Sequence, residues 1–136
     1  MTSPRNEVFL YSPSLKNIDA IDFYLCFPGP YSVGMSSLAF LSLFEKLDKN
    51  PYINPHRVFT DTENISINSN SLMAFCFAFD LDFINIFKIL ETYKISLLKA
   101  HRKEWNSPLI FAGGPVVSAN PEPFAEFFDF FLIGEA

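Results

Sequence analysis

Apolar residues along this chain fall into short continuous runs, separated by stretches rich in Pro, Gly, Asn and Ser, and after several runs the spacing changes to a helical one. Residues 21–27 (IDFYLCF) are too apolar to leave a wet face, which predicts a central strand ended by Pro28. Residues 36–50 follow, with Ser36 or Ser37 as a cap and Phe40, Leu43, Phe44 and Leu47 on one helical face. Residues 55–59 (PHRVF) read as a short strand at the sheet edge, and the polar segment 60–71 as a loop. Residues 71–79 (SLMAFCFAF) predict a second buried strand. Asp80 or Asp82 then caps a helix with Phe83, Ile86, Phe87 and Leu90 on one face and Lys88, Glu91 and Lys94 on the other. The run 95–98 suggests a minor strand and 99–106 a solvated helical turn. The last third repeats the pattern: a strand at 109–112, Gly113-Gly114-Pro115, a short helix started by Asn120 within Asn120-Pro121-Glu122-Pro123, and a strand at 130–133.

This alternation predicts an α/β domain over residues 21–136, preceded by an extended arm over residues 1–20. The expected architecture has three layers: an open, mostly parallel sheet of about five strands with helices on both faces, in the flavodoxin-like, Rossmann-like order 2-1-3-4-5. In that order the connections after the first and third strands diverge. Ligand sites gather at such a crevice, here lined by residues 28–35, 80–82 and Gly113-Gly114. A final strand without a following helix suggests a domain cut from a longer protein, because parallel sheets are normally covered on both faces.

Composition narrows the function classes. With 17 Phe in 136 residues, the interior is expected to rest on Phe, and a surplus beyond one small core suggests a docking face. The formal charge of −5 and the lack of any basic cluster beyond His101, Arg102 and Lys103 argue against nucleic acid, whose backbone is bound by Lys and Arg. No apolar run approaches the roughly 20 residues of a membrane helix, and the first residues contain no signal-like core, so a cytoplasmic location is expected. Cys26 and Cys76, each inside an apolar run, read as buried reduced thiols. His56 and His101 lie far apart and no CxxC occurs, which leaves no zinc spacing.

Several chemistries can be set aside on residues. A phosphoacceptor domain of this topology needs an acidic pair after the first strand, where Phe27-Pro28-Gly29 stands. Ser32, Ser36 and Ser37 are too sparse for a flavin phosphate loop, and neither GxGxxG nor GxxxxGK[ST] is present. Asp80 and Asp82 read as a cap and its neighbour rather than an acid–base pair. The candidate ligand-contacting residues are therefore Pro28, Gly29, Tyr31, Gly34, Met35, Asp80, Gly113, Gly114 and Glu135. The glycines would give clearance, and Glu135 would be placed to grip a hydroxyl or to begin a linker.

Taken together, residues 27–59, 77–95 and 108–136 resemble the N-terminal region of a radical S-adenosylmethionine protein family. In that family a cobalamin-binding-like Rossmann domain precedes an iron–sulfur catalytic domain. The most specific parts are Gly113-Gly114-Pro115, Asn120-Pro121-Glu122-Pro123 and Gly134-Glu135. The resemblance implies an accessory domain whose partner is the downstream catalytic domain of the same chain. The iron–sulfur cluster and S-adenosylmethionine would belong to that domain, because no CxxxCxxC triplet occurs here. Cobalamin is the implied cofactor of this piece, bound without a histidine ligand, since the Asp-x-His-x-x-Gly loop of relatives is replaced by PGPYSVGM. A ligand-free scaffold that packs against the catalytic domain is the alternative implied.

Overall fold

The computed structural model describes residues 6–63, 65–102 and 106–135. Five strands, β1 (Ile21–Cys26), β2 (Ile53–Val58), β3 (Leu72–Cys76), β4 (Leu109–Gly113) and β5 (Phe130–Leu132), form one parallel sheet in the order β2-β1-β3-β4-β5. This is the expected order, with β1 flanked on both sides and β2 at one edge. Pro55 is tolerated in β2 because an edge strand pairs on one side only. The helices are α1 (Tyr31–Gly34), α2 (Leu38–Asp48), α3 (Asp82–Thr92) and α4 (Pro115–Ala119), with 3-10 turns at Lys99–His101 and Glu122–Phe124.

Strand alternation divides the apolar residues between two faces. On one face Phe40 and Phe44 of α2 pack over Leu25, Phe59, Ala74 and Phe111. On the other, Ile86, Ile89 and Leu90 of α3 and Val117 of α4 pack over Tyr24, Cys26, Met73, Phe75, Ile110 and Ala112. Phenylalanine dominates both layers as expected, with Phe40, Phe75, Phe77 and Phe128 among the largest fully buried side chains.

The helix ends follow local chemistry. Ser37 caps α2, its hydroxyl accepting from the Phe40 amide. Neither Asp80 nor Asp82 occupies the N-cap of α3, which falls on Leu81. Asp82 instead sits in the first turn and accepts from the Phe79 amide at 3.1 Å, satisfying a donor ahead of the helix. At the other end Lys94 adopts φ +57° and the Ile95 amide donates to the Leu90 carbonyl, closing a Schellman-type turn. That turn explains why 95–98 is not a strand. Ile95 and Leu97 are spent packing against the α3-face core, and both edges of β4 are already paired.

Around the glycine pair the structure adds a helix. Gly114 turns the chain with φ +123°, Pro115 opens α4, and α4 must end before Asn120, because a residue preceding proline is driven to extended geometry (φ −157°, ψ 102°). The expected helix after Asn120 is only the 3-10 turn Glu122–Phe124, whose N-cap falls on Pro121 rather than Asn120; Asn120 ends α4, and its side-chain oxygen accepts from the Glu122 amide. Of the expected turn at 99–106, Lys99–His101 is a 3-10 turn and residues 103–105 lie outside the described set.

Residues 6–20 carry no regular element, as expected of an arm, yet they are tied to the sheet edge. The Ser14 amide donates to the Asp48 carbonyl, the Tyr11 hydroxyl to the Asp48 carboxylate, and Lys16 pairs with Asp48 at 3.2 Å. A lysine here complements the negative end of α2. Further along, Glu7 takes the Tyr31 hydroxyl at 2.6 Å and pairs with Arg57, whose guanidinium lies 5.0 Å from the Phe44 ring centre.

Candidate functional site

The parallel sheet brings the candidate residues to one edge, the carboxyl ends of the strands. Pro28 and Gly29 follow β1, Asp80 follows β3, Gly113-Gly114 end β4 and Glu135 follows β5. At about 4.8 Å per strand, β1 and β5 are about 14 Å apart, so the edge is a rim rather than a single cluster. Tyr31 and Met35 are turned from it toward the α2 face. The Tyr31 ring packs edge-on against Phe59 and its hydroxyl is held by Glu7, while the Met35 sulfur accepts from Arg57 at 3.2 Å.

Three of the glycines make room for the chain itself. A Cβ at Gly34 would stand 2.3 Å from the Phe59 ring, one at Gly29 2.9 Å from the Phe27 ring, and one at Gly114 2.5 Å from the Phe77 carbonyl oxygen. Gly113 faces Leu132 at an ordinary 3.6 Å. The backbone donors after β1 are committed as well. The amides of Gly29, Val33, Gly34 and Met35 all donate to nearby carbonyls, and that of Tyr31 donates to the Asp61 carboxylate. Between β1 and β3, where the strand order reverses, the Asn85 side chain of α3 donates to the Pro28 carbonyl at 3.0 Å and bridges the crevice. A corrinoid tail needs an open channel lined by clearance and free donors. At Gly29, Gly34 and Gly114 the clearance is taken by the chain itself, as are the amides of Gly29, Tyr31, Val33, Gly34 and Met35, and no histidine stands at this edge among the described residues.

What the rim does present is apolar surface. Val33, Leu38, Phe79, Leu81, Ile84, Leu132 and Ile133 are all exposed at or next to the strand ends and helix starts. Phe79 is 73% exposed and Leu81 80%, flanked by Asp80 and Asp82. Phe79 is the one phenylalanine among these exposed rim residues. The other exposed residues here are aliphatic.

Two cavities lie at the opposite, amino edge. One of about 220 Å³ is lined by residues including Tyr93, His101, Arg102 and Pro108. A neighbouring cleft of about 480 Å³ runs from Ile21 and Leu72 to Leu109 and Asp129. Arg102 lies beside both as a structural tie, donating to the carbonyls of Ser96, Leu97 and Phe127 from a side chain only 4% exposed.

Among the described residues no group of three or more His, Cys, Asp and Glu side chains could hold a metal ion. Cys26 is fully buried, with burial pushing its thiol well above the usual range, and burial raises Cys76 to about 11. They sit on opposite faces of the sheet and are free, as their sequence context implied. His56 lies 2.9 Å from the Asp22 carboxylate and stacks on Tyr24 at 4.9 Å. The hydrogen bond from His56 holds the Asp22 carboxyl below the usual carboxylate range against partial burial, with Asn54 and Asn68 adding to it. A carboxyl whose folded-state pKa is depressed stabilises the fold above its unfolded-state pKa of about 3.9 and loses that contribution as pH falls through the depressed value. Asp22→Asn should therefore weaken the domain near neutral pH and matter progressively less in the acid range. Urea titrations of both proteins at several pH values check this, and a constant gap at all pH values would refute it.

Comparison with known proteins decides the family. The family described as "Radical SAM proteins, N-terminal" matches residues 41–136, which run from α2 through β5. The chain belongs to this family. An uncharacterized protein of Methanocaldococcus jannaschii is 30% identical over 121 residues, covering 89% of this chain and 24% of that protein. The chain thus spans about a quarter of that relative's length. No solved structure matches it significantly. This radical S-adenosylmethionine N-terminal domain carries only two cysteines, Cys26 buried and Cys76 partly buried, so it holds no thiolate triplet for an iron–sulfur cluster. Among the described residues, no helix is long and apolar enough to cross a membrane.

Sequence reasoning missed Asn85, Arg102 and the rings that fill the glycine clearances. Asn85 had a signal, as a short amide within the apolar run of α3. The Phe59 ring at Gly34 had none, because it joins residues remote in sequence, whereas the Phe27 ring at Gly29 comes from only two residues away.

Proposed function

We propose that this domain is a scaffold that packs its carboxyl edge against the catalytic domain of a radical S-adenosylmethionine protein and shapes one wall of that domain's substrate entrance. The observation that carries this reading is the rim itself, where exposed Phe79, Leu81 and Ile133 surround strand ends at which the clearances of Gly29, Gly34 and Gly114 and the amides of Gly29, Val33, Gly34 and Met35 are used internally. Apolar surface of that kind is recovered by docking, and β5 delivers the chain to the same edge. S-adenosylmethionine and the cluster would be held by the catalytic domain.

The test is made in the full-length protein with the double variant Phe79→Asp, Leu81→Asp. Both residues are exposed, so the domain's own fold should change by no more than about 0.5 kcal/mol. Limited proteolysis between the domains should become at least about tenfold faster, which corresponds to a loss of about 1.4 kcal/mol of docking energy. Unchanged proteolysis would overturn the scaffold reading. Retention of hydroxocobalamin with a spectral shift by the wild type would overturn it too, in favour of corrinoid binding.

A further inference from the structure

The α2 face is covered over one half only. Its one long helix among the described residues, α2, lies over the β1 and β2 side, with Phe40 and Phe44 on Leu25 and Phe59. On the β4 and β5 side Leu109, Phe130 and Leu132 point to the same face and are 45%, 37% and 56% exposed. Beneath them Phe111 is buried, its ring stacked on Phe130 at 4.5 Å and 12°. A parallel sheet seldom leaves one face apolar and bare.

Connection handedness says what belongs there. The step from β1 to β2 runs toward one sheet edge and puts α2 on this face. The steps from β3 to β4 and β4 to β5 run the other way and put α3, α4 and the Phe124–Phe128 segment on the opposite face. Over β4 and β5 that opposite face is already filled by Val117, Phe124, Phe127, Phe128 and Phe131. A chain leaving β5 at the carboxyl edge can return over the sheet only on the α2 face. The family to which the chain belongs is the N-terminal part of longer proteins, and the chain spans 24% of its relative.

We propose that the residues immediately following position 136 in the full-length protein form a helix that returns beside α2 and seals Leu109, Phe130 and Leu132. Spanning a five-residue strand takes about 16 Å, hence about 11 helical residues, the length of α2 and α3. Their pattern should place apolar residues at i, i+3, i+4 and i+7. The proposal rests on family membership alone and is independent of what meets the carboxyl rim.

Maleimide labelling of single Leu109→Cys and Leu132→Cys variants of the full-length protein tests it. The native thiols give little background, Cys26 being buried, Cys76 partly buried and both raised in pKa. Labelling should be at least about tenfold slower than in the same variants with the residues after 136 replaced by a Gly-Ser linker. Leu81→Cys reports the rim separately and should respond to the catalytic domain instead. Equal rates with and without the replacement would overturn the proposal, as would protection that survives it through another domain or that rises with protein concentration through a second copy. Where the linker variant does not fold, amide exchange on the wild type decides. Helical protection over the residues after 136 supports the proposal, and rapid exchange there overturns it.

Discussion

Gly114→Ala is expected to destabilise the domain by about 4 kcal/mol, lowering the urea midpoint by about 2 M for a slope of about 2 kcal/mol/M. Two costs add. At φ +123° an alanine pays backbone strain of about 1–3 kcal/mol, and its Cβ would meet the Phe77 carbonyl oxygen at 2.5 Å. That oxygen belongs to the chain leaving β3 and accepts the Val116 amide, and the Phe77 amide in turn donates to the Gly113 carbonyl, so it cannot move aside without breaking the β3–β4 junction. Overpacking against such a fixed group typically costs a further 1–3 kcal/mol or so. Against a total stability of roughly 5–15 kcal/mol this is a large share. Two controls separate the terms. Gly134→Ala has a similar φ of +105° with nothing within 4 Å of its Cβ, so it should show strain alone, about 1 kcal/mol. Gly34→Ala sits in α1 without positive φ, but it drives a Cβ into a Phe59 ring hemmed in by Phe27, Phe40 and Tyr31, and should show overpacking alone, about 2 kcal/mol. Chemical denaturation of the three variants orders them, and a Gly114→Ala effect no larger than that of Gly134→Ala would contradict the clash.

Arg102→Met should cost about 3 kcal/mol although it lies far from the carboxyl rim. The guanidinium is almost fully enclosed and serves the carbonyls of Ser96, Leu97 and Phe127, with Asp129 3.6 Å away. Methionine keeps much of the volume but leaves three acceptors without their donor, each costing about 1–3 kcal/mol where water cannot replace it. Burial already lowers the Arg102 pKa, with Asp129 opposing that shift, so the charge is held by local bonds rather than by solvent. Asp129 also accepts the Ile110 amide and donates its own to the Ile110 carbonyl, which begins the β4–β5 pairing. Loss of Arg102 should therefore loosen β5 first, seen as faster amide exchange at residues 130–132 than in β1. Uniform acceleration across the sheet would refute this coupling.

Much of the fold was legible because the decisive signals are local. Continuous apolar runs marked four of the strands, Pro28 ended the first, Ser37 announced α2, and the order β2-β1-β3-β4-β5 is the flavodoxin-like one chosen first among those that strand–helix alternation and right-handed connections allow. Legibility failed where two local signals competed. The run 95–98 has strand composition but follows a helix whose termination needs an apolar residue just past a left-handed one, and that use won at Ile95. Pro115 and Pro121 both permit a helix start, and the sequence reading kept only the second, although the longer helix begins at the first.

The candidate site divides along the same line. By itself the sequence determined that Pro28, Gly29, Asp80, Gly113, Gly114 and Glu135 share one edge, since every strand of a parallel sheet ends on the same side. It also determined that no cluster-binding triplet is present. Only the tertiary structure decided what occupies the space each glycine leaves open, because the Phe59 ring at Gly34 and the Phe77 carbonyl at Gly114 arrive from other strands. It alone likewise decided that Asn85 bridges the crevice and that half of the α2 face is bare. A residue's type states what it can tolerate, and packing between remote segments states what it meets.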